Sequence, residues 1–114
     1  MTDCLFCKII AGEIPANIVY QDADCVAFRD INPQAPTHIL IIPRLHIPTL
    51  NDLESENAGL MGRLVLAAKK IAHAENLSDD GYRLVFNCNA DAGQTVFHVH
   101  VHLLGGRVFG WPPG

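Results

Sequence analysis

Two periodicities divide the chain. From Phe97 to Leu104 apolar residues fall at every second position, so in an extended strand Phe97, Val99, Val101 and Leu103 share one face. His98, His100 and His102 share the other. Earlier, the period lengthens: Leu53, Leu60, Leu64, Ala67, Ala68 and Ile71 recur at helical spacing and predict one long helix from about Glu54 to Glu75. A short amphipathic helix is predicted from Asp3 to Ala11, closed by Gly12 and followed by a turn at Pro15. Ile18 to Tyr20 and Cys25 to Arg29 read as short strands around the Gln21-Asp22-Ala23-Asp24 turn. His38 to Pro43 is apolar enough for the centre of a sheet, and Tyr82 to Cys88 reads as a further strand. The histidine strand runs on to Gly105. Strands in sequence around one central helix predict an α+β fold with an antiparallel sheet.

At 114 residues the chain suits one domain, spanning 1–114. Although 49% of the residues are hydrophobic, no run reaches the roughly 20 needed to cross a bilayer. The N-terminus lacks a basic stretch followed by an apolar one, so a cytoplasmic location and no membrane partner are expected. A formal charge of −4 argues against nucleic acid, whose binding wants a basic stripe. It leaves room for a small anion held by local amides.

Four cysteines in a reducing compartment do not predict a disulfide framework. Cys25 and Cys88 lie in apolar runs and read as small buried hydrophobes. Cys4-Leu5-Phe6-Cys7 is different: a C-x-x-C pair either clamps a metal from adjacent turns or stands as two reduced, buried thiols. A metal would need two further ligands, for which His46 and His98 are the candidates.

A row of histidines is costly to bury unless each ring finds a partner. At about 3.3 Å per residue, neighbouring histidines stand roughly 6.6 Å apart and the outer pair roughly 13 Å apart, too far for all three to meet on one ion. The spacing suits divided labour, with the central ring facing a substrate. Before the strand, Asn87 to Thr95 is a polar loop in which Gly93 permits close backbone approach and Thr95 adds a hydroxyl donor. Beside a histidine nucleophile such a loop reads as a phosphate cradle.

His98-Val99-His100-Val101-His102-Leu103-Leu104 resembles the complete signature of the histidine triad (HIT) family. Glu13-Ile14-Pro15-Ala16, Ala27 to His38, Gly93-Gln94-Thr95 and Trp111-Pro112-Pro113-Gly114 resemble its nucleoside-phosphoramidase branch, in the same order. The resemblance implies a HIT fold of about five antiparallel strands continued across a homodimer, with a C-terminal tail at 105–114. It implies hydrolysis of purine nucleoside 5′-phosphoramidates, including nucleotidyl-lysine, through a nucleotidyl-histidine intermediate on His100. His98, His102, His38 and Thr95 would complete the catalytic set. Asp30 would hold the ribose, and Leu5, Phe6, Ile9, Phe28 and Ile31 the purine. Asn87, Gly93 and Gln94 would contact phosphate or ribose, and Trp111 would reach the partner subunit's site. Similarity to zinc-bearing bacterial members implies a structural Zn2+ on Cys4, Cys7, His46 and His98, with no organic cofactor. Dinucleoside polyphosphate hydrolysis is the enzymatic alternative. A purine-nucleotide-binding interaction module is the non-enzymatic one.

Overall fold

The computed structural model describes residues 3–114. Its elements follow in the order α1 (Leu5–Ile10), β1 (Ile18–Gln21), β2 (Cys25–Arg29), β3 (Thr37–Pro43), α2 (Ala58–Ala74), β4 (Tyr82–Phe86) and β5 (Val101–Gly105). The strands form one antiparallel sheet in the order β1-β2-β3-β5-β4, as the α+β reading predicts.

Alternation along the strands separates two packed faces. Cys25, Ala27, Ile39, Ile41, Val101 and Leu103 point to α2, which buries Leu64, Ala67, Ala68, Ile71 and Ala72 against them. Val26, Phe28, Leu40 and Ile42 point the other way, onto Phe6 and Ile9 of α1. Both central strands are therefore apolar on each side, which is why β3 carries no polar–apolar alternation. Arg29 closes β2 onto the end of α2, its Nη1 and Nη2 each 3.0 Å from a carboxylate oxygen of Glu75. That pairing anchors the strand end from which Asp30 follows.

Four elements are shorter than their sequence patterns suggest. α1 spans Leu5–Ile10 instead of Asp3 to Ala11, with Cys4 as its N-cap and Ala11 as its C-cap. α2 starts at Ala58 rather than Glu54, because 55–57 form a 3-10 turn in which Asn57 Oδ1 accepts the Glu54 N–H at 2.8 Å. Leu53 consequently lies outside the helix. β4 stops at Phe86, two residues early, and Cys88 beyond it is half-buried rather than core. The histidine strand is the largest departure, since pairing begins only at Val101. β3 pairs Ile41 with Val101, and continuing that register would set Val99 against Pro43, which has no N–H to offer. The Val99 N–H instead reaches Ile47 O at 2.7 Å. Phe97, before this anchor, is 48% exposed and leaves the apolar face it was expected to join. His98 and His100 thus sit on an irregular approach to β5.

Candidate active site and metal cluster

On the sheet face opposite α2 lies a cleft of about 660 Å3. Its size falls within the usual range for small-molecule sites. One half is apolar, built by Leu5, Phe6 and Ile9 of α1, Phe28 of β2 and the exposed Ile31. The other half presents Asp30, Thr95, His100 and His102. A flat apolar ring suits the first half and an anionic group the second.

The rings stand in a row. His98 lies 5.9 Å from Phe6 and Phe6 lies 5.1 Å from His100, both edge-on. His100 is 5.0 Å from His102, and His102 is 5.2 Å from His38, centroid to centroid. Phe6 therefore packs against both His98 and His100, of which only His100 joins His102 in lining the cleft.

Hydrogen bonds to groups of fixed character assign the protons. His100 Nδ1 is 2.8 Å from His98 O, and a carbonyl only accepts, so Nδ1 carries the proton and Nε2 keeps its lone pair. His98 Nε2 donates likewise to Pro43 O at 2.7 Å, leaving its Nδ1 as an acceptor. His38 runs the other way, because its Nδ1 accepts the Gln34 N–H at 3.0 Å. Its proton is then on Nε2, directed to His102 Nδ1 at 2.9 Å, with Asp30 Oδ2 at 3.4 Å beside it. His102 is left with a proton on Nε2. The cleft is thus offered a lone pair by one ring and an N–H by the next.

His98 Nδ1 points into a cluster with Cys4, Cys7 and His46. It lies 3.4 Å from Cys4 Sγ, 3.6 Å from Cys7 Sγ and 3.2 Å from His46 Nδ1, while Cys7 Sγ lies 3.4 Å from His46 Nδ1. A tetrahedral ion with metal–nitrogen bonds near 2.0 Å and metal–sulfur bonds near 2.3 Å has edges of about 3.3–3.8 Å. The four atoms fit a metal ion. Their surroundings fit too: His98 donates its other N–H to a carbonyl, and Cys4 Sγ accepts the Cys7 N–H at 3.4 Å. Asp30, His38 and His102 also converge. There the chemistry does not fit, since a metal on His38 Nε2 would leave that ring, already accepting at Nδ1, with no proton at all.

Not every residue expected at the site reaches the cleft. Gln94 is 6% exposed, and its carboxamide is engaged internally: Oε1 accepts the Asn89 N–H, and Nε2 donates to Pro48 O and Val96 O. Its backbone N–H is also bonded, to Asn89 O. Gln94 therefore shapes the loop and does not touch the cleft. Gly93 ends a 3-10 turn at φ +86°, where a side chain would strain the backbone. It and the half-buried Asn87 lie outside the lining, as does Trp111, which is 86% exposed. The sequence reading missed Ile14, Pro15, Ala16, Leu40 and Val96, which also line the cleft. It also missed the Gln34 N–H, a backbone donor that any residue type could supply.

Burial lowers the pKa of His38, outweighing the opposite pull of Asp30, and lowers that of His100. His102 is pushed down to about 4 by burial, reinforced by the His100 and His38 rings. All three are neutral near pH 7, so the Asp30–His38 approach is not an ion pair, and the His38 Nε2 proton stays on the bond to His102. Below about pH 6.5 the unfolded chain takes up protons that the folded one refuses. Stability is therefore expected to fall as pH drops from 6.5 towards 4, at up to about 1.4 kcal/mol per pH unit for each such histidine. Asp22 acts in a separate window. Burial opposes its ionisation, but bonds from the Asp24 N–H, the Tyr20 hydroxyl and the Cys25 N–H hold it at about 2, so its contribution disappears only below pH 4. Urea midpoints measured between pH 7.5 and 4.5 check this; a flat profile contradicts the burial of neutral rings.

Comparison with known proteins agrees with this geometry. The HIT domain matches residues 11–109. Over 108 residues the chain is 56% identical to the purine nucleoside phosphoramidase of Escherichia coli strain K12, covering 95% of this chain and 91% of that protein. It is 53% identical over 112 residues to an uncharacterised HIT-like protein of Synechocystis, covering 98% and 97%. Among solved structures, a HIT family hydrolase from Legionella pneumophila superposes with a TM-score of 0.97 at 58% identity, covering 98% of this chain and all of that one. With the fold, the three ordered imidazoles and the sequence in accord, the chain belongs to the HIT family.

Proposed function

We infer that the protein is a purine nucleoside phosphoramidase, cleaving the P–N bond of nucleoside 5′-phosphoramidates such as nucleotidyl-lysine. The observation that carries this reading is the His100 ring, with its Nδ1 proton held by His98 O and its Nε2 lone pair available beside the polar end of the cleft. Nε2 attacks the α-phosphorus, a P–N bond to the ring forms, and the bond to the amine breaks. The departing amine takes up a proton from solvent, and the water that attacks in the second step returns one. Water then attacks the same phosphorus, releasing AMP or GMP and restoring the neutral ring, so the sum is phosphoramidate plus water giving nucleotide plus amine. As Nε2 becomes phosphorylated the ring turns cationic, and its Nδ1–H bond to His98 O strengthens. His102 Nε2–H and the Thr95 hydroxyl are placed to donate to the phosphate oxygens. Asp30 accepts from the ribose hydroxyls, and the apolar half holds the purine.

Zinc is the metal we assign to Cys4, Cys7, His46 and His98, since two thiolates and two imidazoles in tetrahedral array suit it best. It would join α1 to the approach to β5, a structural role. We further propose that residues 1–114 act as one cytoplasmic domain and pair as a homodimer, the sheet continuing across the interface. β4 is an edge strand and Trp111 is exposed, and both features support pairing. Among the described residues no helix is long and apolar enough to cross a membrane.

Turnover of adenosine 5′-phosphoramidate, adenylyl-lysine and diadenosine tetraphosphate tests the assignment. The first two are expected to be cleaved with kcat/KM at least about tenfold above the third, a margin of roughly 1.4 kcal/mol in transition-state binding. Preference for the tetraphosphate, or no turnover of any, overturns it.

A further inference from the structure

The C-terminal segment reaches the active site from behind. After β5, Gly106 adopts φ +92°, and a β-carbon there would lie 2.9 Å from Pro36 Cβ, so the segment is pressed directly onto the 34–36 loop. Arg107 Nε and Nη2 both donate to Gln34 O, at 3.2 and 3.1 Å. Across the same α-carbon, the Gln34 N–H is the donor to His38 Nδ1. Phe109 stacks on the Arg107 guanidinium at 4.2 Å and on that of Arg83 at 5.0 Å, and Arg83 holds Gly110 O at 2.9 Å.

We propose that Arg107 is a positioning residue: by clamping the Gln34 carbonyl it keeps the Gln34 N–H on His38 Nδ1, and so fixes which nitrogens of His38 and His102 carry protons. A lone imidazole has two neutral tautomers of similar stability, and here one backbone donor decides between them. If Gln34 turns away, His38 is released to place its proton on Nδ1, and its Nε2 then becomes an acceptor facing His102 Nδ1. His102 must shift its own proton to Nδ1 to keep the 2.9 Å contact, and its Nε2 becomes a lone pair facing phosphate oxygens that need a donor. Arg107 touches neither ring nor substrate; it acts through the peptide.

Long-range nitrogen–proton NMR of histidine-labelled full-length protein reads the tautomer of each ring directly. Wild type is expected to show protonated Nε2 on both His38 and His102. Arg107→Met is expected to give mixed tautomers at both rings, with Arg107→Lys, which retains one donor, restoring much of the wild-type pattern. Arg83→Met loosens the tail without touching Gln34 and should leave both tautomers in place. Should Arg107→Met fail to fold, Gln34→Pro removes the same N–H and is expected to mix the tautomers with Arg107 present. The kinetic consequence rests on the phosphoramidase reading: kcat/KM for adenosine 5′-phosphoramidate should fall roughly tenfold in Arg107→Met, about the contribution of one hydrogen bond. The NMR result stands apart from that reading, so an inactive wild type would sink the activity without touching the proposal. Unchanged tautomers in folded Arg107→Met, unchanged tautomers in Gln34→Pro, or equal mixing in Arg83→Met, would each overturn it.

Discussion

Glycine in place of His100 is expected to slow hydrolysis of adenosine 5′-phosphoramidate by about 10^4-fold or more while leaving AMP affinity within a few-fold of wild type. The two effects separate because the apolar half of the cleft, Asp30 and Thr95 are independent of the ring, whereas the covalent route has no other nucleophile in place. His102 cannot substitute. Its Nδ1 accepts from His38 and its Nε2 carries the proton, so no lone pair faces the phosphorus. His98 cannot either, because its Nδ1 is turned to the cysteines. Added imidazole should recover part of the lost activity by occupying the vacated space, which a merely structural role for His100 would not allow. Rapid quench of wild type with excess substrate should trap a nucleotide on His100. Cleavage undiminished in the glycine variant, or no adduct on that ring, would end the covalent mechanism.

Much of this arrangement was legible in the residues, and the failures have identifiable causes. Period-two alternation placed Val99, Val101 and Leu103 in the interior and set the histidines on the opposite side, as found. It overestimated the strand because alternation reports which side chains are buried, whereas pairing depends on the partner strand's backbone, and Pro43 interrupts that. Helical spacing found α2 but started it early, since Glu54 to Asn57 are compatible with helix and a single side-chain bond turns them into a 3-10 turn. At the site, spacing pointed to separate surroundings for the histidines, and His98 does turn to the cysteines while His100 and His102 line the cleft, but their proton positions could not be read that way. Those depend on carbonyls of Pro43 and His98 and the amide of Gln34, main-chain groups with no residue-type signature. Gln94 shows the reverse error: a polar side chain in a promising motif is committed to main-chain groups of its own loop and of the segment at Pro48.

Removing one thiol from the cluster is expected to have the second large effect, on stability rather than chemistry. Wild type should contain one zinc per chain and Cys7→Ser none, with the melting temperature of the variant lower by about 10 °C or more. Size follows from where the ligands come from. Cys4 and Cys7 belong to the start of α1, His46 to the loop after β3 and His98 to the approach to β5, so one ion would close three separate stretches of chain. Without it, two sulfurs and two ring nitrogens remain crowded within 4.8 Å of one another, one of them on a histidine that is 0% exposed. Because α1 also carries Leu5, Phe6 and Ile9, its loosening should weaken nucleotide binding, and because His98 O holds the His100 proton, a smaller loss of kcat should accompany it. Chelator-treated wild type should melt where Cys7→Ser does, and added zinc should restore only the wild type. Elemental analysis and calorimetry decide the matter: native protein that is metal-free and melts with the variant would leave the four residues a fortuitous cluster. Retained zinc in Cys7→Ser would instead place the ion on other ligands.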